Sequence, residues 1–217
     1  MIRFENVSKS FPGGTAVTRD VSLDIPAGRA VALLGRNGAG KSTLLKMIAG
    51  VIHPDSGRIT CRGRVSWPVG FAGGFHPDLT GAENVRFVAR IYGADSRALA
   101  GFVAGFAGIG RHFHAPVRTW SNGMRARVAF GLSMGLPFDI YLVDEITAVG
   151  DAAFREASDA LFTARIASAG AIVVSHSLRQ LARICSAGMV LEKGRLTWHD
   201  DVMDAIAHHR EIMGVAA

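Results

Sequence analysis

Gly35-Arg36-Asn37-Gly38-Ala39-Gly40-Lys41-Ser42-Thr43 follows the pattern G-x-x-x-x-G-K-[ST], and its reading decides the fold. Glycines let backbone N–H groups turn inward around a chain of phosphates, with no Cβ in the way. Lys41 adds a mobile ammonium for the outer phosphates, and the Ser42 hydroxyl can ligate Mg²⁺. Upstream, Arg29 to Leu34 is a short apolar run that reads as a buried strand. Downstream, Ser42 to Ala49 reads as a helix closed by Gly50. Strand, glycine loop and helix N-terminus together make an anion site.

Working outward, the flanks alternate between strands and helices. Ile2 to Val7 and Val17 to Ile25 read as half-buried strands, and Arg58 to Cys61 as a short one. Thr80-Gly81-Ala82-Glu83 is a capping box opening a helix to about Tyr92, followed by a glycine-weakened helix from Ser96 to Phe106. Ser121 caps a helix from about Gly123 to Gly135. Strands are expected over Phe138–Val143 and Ala171–Ser175, a helix over Ala152–Ala169 between them, and another over Leu178–Cys185. A weak hairpin around Lys193-Gly194 and a helix from about Asp201 complete the pattern. This alternation points to a largely parallel α/β sheet interrupted by a mainly helical insert.

Composition narrows the class. At 217 residues, 49% apolar and 19% charged, the chain can bury a sizeable core. Its two cysteines, Cys61 and Cys185, lie far apart with no C-x-x-C, which suggests neither a disulfide framework nor a metal knot. No basic-then-apolar leader is read at the start, where Arg3, Glu5 and Lys9 intervene. The longest nearly apolar stretch, Val128 to Val143, contains Pro137 and Asp139 and is too short to span a bilayer. A soluble chain is expected, one that can still work at a membrane. The net charge of +6 favours an anionic neighbour, a lipid surface or nucleic acid, or is simply a basic surface.

Other chemistry-bearing residues gather at predicted strand ends. Asp144-Glu145 closes an apolar strand, at the edge where open α/β sheets bind ligands. Asp144 suits a hold on Mg²⁺, and Glu145 suits a general base for an attacking water. His176 follows another apolar strand and can reach the same edge, while the other seven histidines read as surface residues. Phe11 offers either a ring to stack on an adenine or an ordinary core or turn phenylalanine. Trp67 to Pro77, with three glycines among Trp67, Phe71 and Phe75, is either an exposed docking loop or a folded-in apolar one. Ser121-Asn122-Gly123-Met124, at a helix start, forms a second anion-binding device. With the first device already holding phosphates, the economical reading is that Ser121 and Gly123 serve a nucleotide held by another copy in a head-to-tail dimer.

The set of Gly35–Thr43, Ser121–Met124, Asp144-Glu145, Ala148-Val149-Gly150-Asp151 and His176 resembles an ATP-binding cassette (ABC) ATPase over essentially the whole chain. Within that superfamily, Ser66–Phe75, Asn84–Gly93, Ser121–Met134 and Ile140–Asp151 resemble the ATPases that export capsular polysaccharide from Gram-negative bacteria, the polysialic-acid or group 2 capsule type. The resemblance implies an α/β fold with a P-loop NTPase (RecA-like) core, an N-terminal antiparallel β subdomain and an inserted helical subdomain carrying the signature. It implies one ATPase domain over residues 1–217, with the helical subdomain at about 78–136. It implies binding of ATP and Mg²⁺, with Gly35, Arg36, Asn37, Gly38, Ala39, Gly40, Lys41, Ser42 and Thr43 around the nucleotide. Asn122 and Met124 join Ser121 and Gly123 in the signature, and Ser42 and Asp144 hold the metal. Phe11 matches the adenine-stacking aromatic, Glu145 the catalytic glutamate, His176 the switch histidine and Asp151 the acid of a dimer-facing loop, with Lys41 also in the catalytic set.

The implied partners are a second ATPase copy, integral-membrane permease subunits and a polysaccharide export machinery at the cytoplasmic face of the inner membrane, with no nucleic acid. Export of another glycopolymer, such as O-antigen or teichoic acid, and a non-transport cassette acting on nucleic acid stand as the rivals. Two departures from the family pattern are visible. The signature reads Trp120-Ser121-Asn122-Gly123-Met124 in place of L-S-G-G-Q. The glutamine usual between phosphate loop and signature is absent, since the only glutamine is Gln180, and Trp67 to Phe75 stands in its place. That substitution suggests coupling to the permease through aromatic packing.

Overall fold

Apolar-polar alternation and apolar runs give β1 (Ile2–Ser10), β2 (Ala16–Ile25) and β3 (Ala30–Leu34), then α1 (Lys41–Ile48), β4 (Ser56–Cys61) and β5 (Val65–Pro68). The middle of the chain forms α2 (Gly81–Ile91), α3 (Ser96–Ala107) and α4 (Asn122–Gly135), with two short 3₁₀ turns between the last two. There follow β6 (Ile140–Asp144), α5 (Ala152–Ser168), β7 (Gly170–Val174), α6 (Leu178–Ile184), β8 (Ala187–Glu192), β9 (Arg195–His199) and α7 (Val202–Met213). The structure is a computed structural model that describes residues 1–13, 16–71, 73–144 and 151–214. Residue contacts gather the chain into two compact units, Met1–Pro68 with Phe138–Glu145 and Ile166–Ala217, and Val69–Pro137 with Ile146–Arg165.

The first unit holds both sheets. An antiparallel sheet runs β2-β1-β4, and a second sheet runs β5-β6-β7-β3-β8-β9, parallel except for the β8–β9 hairpin. Its central strands are apolar along their whole length because both faces are covered. Every residue of β7 is buried, as are Val31 to Leu34 of β3 and Ile140 to Val143 of β6. α1 buries Leu44, Leu45, Met47 and Ile48 in one core with Ile2, Phe4 and Val21 of the first sheet and Leu33, Leu142 and Ile172 of the second. The hairpin turns at Lys193-Gly194, whose φ values of 46° and 84° suit a tight two-residue loop. Cys61 and Cys185 are both free thiols. Burial pushes the Cys185 thiol up to about 12 and raises that of Cys61 as well.

The second unit is helical. The capping box forms as read: Thr80 Oγ1 accepts from the Glu83 N–H, and Glu83 Oε2 accepts from the Thr80 N–H at 2.8 Å. Phe106 joins Phe102, Phe130 and Phe154 in an aromatic cluster, at centroid distances of 6.0, 5.7 and 5.2 Å. Glycines let α4 approach α3, since a Cβ at Gly135 would lie 2.5 Å from Leu99 Cδ1.

One strand escapes the sequence reading. Trp67 opens no loop; it lies in β5, which ends at Pro68. β5 is the edge of its sheet, where a missing N–H is tolerated. The ladder is repaired by Ser66, which is buried and whose Oγ accepts the Leu142 N–H at 2.9 Å. That bond holds the strand that ends in Asp144. Ser66→Ala leaves the Leu142 N–H without this partner, and a loss of about 1–3 kcal/mol in urea denaturation is expected.

Candidate functional site

The loop after β3 is built to present backbone. Gly35 has φ +150°, and a Cβ there would run into the Leu191 carbonyl of β8. Gly40 has φ +103°, and a Cβ there would lie 2.6 Å from Val17 Cγ1 on β2. Both positions therefore demand glycine on two grounds, left-handed backbone and close neighbours. Gly40 caps α1 with no side-chain hydrogen bond, and the first turn carries no acid, so no side-chain cap is supplied to its leading N–H groups. Lys41 Nζ donates to the carbonyls of Gly35 at 2.8 Å and Arg36 at 3.0 Å, so the ammonium is held against the loop itself.

Register aligns the neighbouring strand ends. Ala32 pairs with Val173 and Val143 also pairs with Val173, so β3, β7 and β6 advance in step. Asp144, half-buried, pairs with Val174, and His176 lies two residues beyond on the exposed side. Ser175 Oγ accepts the Ser177 N–H at 3.1 Å and bonds Gln180 Oε1 at 2.9 Å, which fixes the turn carrying His176. The glycine loop, Asp144 and His176 therefore share one carboxyl edge. Phe11 sits just past β1 and is 43% exposed, so it is not a core phenylalanine. Lys9 lies over its ring at 5.6 Å and pairs with Asp55 at 2.6 Å, while Asp55 also accepts the Ser10 N–H.

The signature segment belongs to the helical unit. Ser121 caps α4 through its Oγ, which accepts the Met124 N–H at 3.2 Å. Ser121 and Asn122 are exposed, and Gly123 and Met124 half-buried. Trp120, the departure from the family leucine, is 3% exposed. Its Nε1–H donates to the His112 carbonyl at 2.8 Å, and its ring packs edge-on to Phe75 at 6.4 Å. Room for the ring comes from Gly81, where a Cβ would lie 2.5 Å from Trp120 Cη2. Asp151 caps α5, its Oδ1 accepting the Phe154 N–H at 2.9 Å. Its Oδ2 accepts from Arg127 at 2.8 Å, and the Arg127 guanidinium lies 4.6 Å from the Phe154 ring centre. The Phe154 N–H, then Arg127, hold the Asp151 carboxyl below the usual carboxylate range. Glu145 and Ala148-Val149-Gly150 lie outside the described residues.

Residues 18–148 match the ABC transporter family. The chain belongs to it. This ABC protein is 45% identical to the polysialic acid transport ATP-binding protein KpsT of Escherichia coli, over 97% of this chain and 96% of KpsT. It is 39% identical to the capsule polysaccharide export ATP-binding protein CtrD of Neisseria meningitidis serogroup B, over 98% of this chain and all of CtrD. Among solved structures, an ATP-binding subunit of an ABC transporter shares the fold, with a TM-score of 0.79 at 24% identity over 99% of this chain and 94% of that one.

Several residues that shape this ABC protein carry no motif. Arg127 and Phe154 pin Asp151, and nothing in the sequence pattern links the three. Asn84, buried, donates to the carbonyls of His76, Leu79 and Thr80 and accepts the His76 N–H, tying the segment before α2 to that helix. Two histidines read as surface residues are half-buried instead: His199 Nε2 and His208 Nδ1 share a hydrogen bond of 2.9 Å between β9 and α7. His209 is half-buried too, and burial lowers its pKa. Gly81 and Trp120 act as a complementary pair, since the indole is pinned by its N–H bond. Gly81→Ala should destabilise the chain by about 1–3 kcal/mol through overpacking. Adding Trp120→Leu to Gly81→Ala should recover part of that loss in a double-mutant cycle of thermal or urea unfolding.

Proposed function

We propose that this chain is the ATP-hydrolysing subunit of an ABC transporter that exports a capsule-type polysaccharide across the bacterial inner membrane. The observation that carries the activity is the glycine loop, opening into an α1 start with no side-chain cap, on the same sheet edge as Asp144 and His176. Full-length similarity to KpsT and CtrD supports the substrate class. ATP lies along the loop, with Lys41 offering its ammonium to the outer phosphates and Phe11 its exposed face to the adenine. Ser42 and Asp144 supply a hydroxyl and a carboxylate, hard oxygen donors that fit Mg²⁺. The bound ion would neutralise phosphate charge. Glu145 takes a proton from water as the water oxygen attacks the terminal phosphorus, and the bond to the ADP oxygen breaks to give ADP and phosphate. His176 contacts the outer phosphate.

Ser121, Asn122, Gly123 and Met124 serve a nucleotide held by a second copy, which makes the working unit a head-to-tail dimer. Asp151, fixed by Arg127, belongs to the dimer-facing loop. In this reading residues 1–217 form one ATPase domain, with a helical subdomain at about 78–136. The dimer pairs with separate permease subunits at the cytoplasmic face of the membrane. No helix among the described residues is long and apolar enough to cross a membrane. Phe71, 59% exposed, is the part of the Trp67–Phe75 segment available to the permease, since the Trp67 ring packs edge-on to Phe138 at 5.3 Å.

Glu145→Gln should lower ATP turnover on the order of 10²–10⁴-fold while leaving ATP affinity unchanged. In the native host it should trap polymer in the cytoplasm and leave the surface bare. A normal surface coat would discard the capsule substrate, and unaltered hydrolysis would sink the ATPase assignment. Lys41→Ala should weaken ATP binding itself, read by calorimetric titration. An unchanged affinity would count against the loop as the nucleotide site.

A further inference from the structure

We propose that the outer face of α2 rests directly on a bilayer surface bearing anionic phospholipid headgroups. This contact is additional to any made with a permease. The exposed arc of α2 carries two parallel stripes. Phe87 and Ile91, one turn apart, are 58% and 63% exposed, and Arg86 and Arg90, also one turn apart, run beside them. Apolar side chains flanked by arginines along one helix match what an interfacial helix needs: rings and aliphatic groups to enter the headgroup boundary, guanidinium groups to meet phosphate. Leu79, 37% exposed, adds apolar surface to the same helical unit.

Charge complementarity selects the occupant. Residues 69–137 contain seven arginines, no lysine and only three acids, Asp78, Glu83 and Asp95. All three acids are engaged locally. Glu83 accepts from Thr80 within the capping box, Asp95 accepts the Arg97 and Ala98 N–H groups, and Asp78 pairs with Arg118 at 3.6 Å. Arg86 and Arg90 enter no ion pair among the described residues. An acidic, apolar segment of a membrane protein is the competing occupant. The lipid surface is favoured because the two arginines need no fixed geometry from each other, and a fluid anionic surface supplies phosphates wherever they lie.

The test is co-sedimentation of the purified chain with vesicles of phosphatidylcholine alone or mixed with phosphatidylglycerol. The chain should bind the mixed vesicles, less so as salt rises, and leave neutral ones free. Arg86→Gln and Arg90→Gln should each weaken binding about fivefold, and Phe87→Ser with Ile91→Ser should weaken it further. Arg195→Gln, an exposed arginine on β9, should leave it unchanged. Circular dichroism confirms that each variant is folded. Equal binding to neutral vesicles, or undiminished binding by the Arg86→Gln/Arg90→Gln double variant, overturns the proposal. So does a native chain that ignores vesicles while the stripe variants are lost from native membranes, which assigns the face to a protein. ATP turnover measured on the same samples in solution should not change in the stripe variants, so failure of the hydrolysis reading is seen separately.

Discussion

A parallel strand buried on both faces has nowhere to place a polar side chain until it ends. β3, β7 and β6 obey that constraint together, and much of the molecule follows from it. Held in step by their ladder, the three strands release their first polar or glycine residues along one edge. Asp144, the turn to His176 and the glycine loop emerge there along the same edge. The remaining strands serve that alignment. β8 supplies the Leu191 carbonyl that closes off Gly35, β2 supplies the Val17 side chain that closes off Gly40, and β5 keeps β6 in place through Ser66. The loop is thus shaped as much by what presses on it from outside as by its own residues.

The helical unit follows a different logic, one of caps and aromatic rings. Ser121, Thr80, Asp95 and Asp151 each satisfy a helix start, so the polar residues that look functional also have local structural work. For Asp151 the two roles meet. Its carboxylate is both a cap and the partner of Arg127, whose position is in turn set over the Phe154 ring. Trp120 shows how a departure from a family pattern is absorbed. The larger ring required a glycine opposite it and an acceptor for its N–H, and Gly81 and the His112 carbonyl provide them.

Legibility of all this in the sequence varied with the physics involved. Gly35–Thr43 could be read because each residue type answers a local requirement of backbone or charge. The apolar runs at 30–34, 140–143 and 171–174 could be read because full burial erases alternation. The capping box at Thr80 was equally plain, since both of its bonds span three residues. β5 went unread: its four residues are few for a pattern, and that a strand ending in Pro68 is tolerated depends on its lying at the sheet edge, a fact of topology. The His199–His208 bond joins residues of two elements, and the Gly81–Trp120 fit joins positions 39 apart by number. Neither leaves a periodic trace. The family resemblance pointed to a set of polar residues, yet it carried no information on Arg127, Asn84 or Ser66, which fix the local structure around Asp151, α2 and β6.

The two thiols have a practical consequence. Thiolate is the reactive form, and burial pushes the Cys185 thiol up to about 12, which favours the unreactive protonated form at neutral pH. Cys61 is shifted the same way and half-buried, its Sγ–H directed at the Ile48 carbonyl at 3.7 Å. Both shifts favour the protonated thiols over the thiolates that alkylating dyes attack. A single cysteine engineered onto an exposed turn would carry a fluorophore or spin label almost alone, with both native residues left as they are. Distances between such labels in two copies could then be followed through a catalytic cycle, against two native thiols held in their protonated forms.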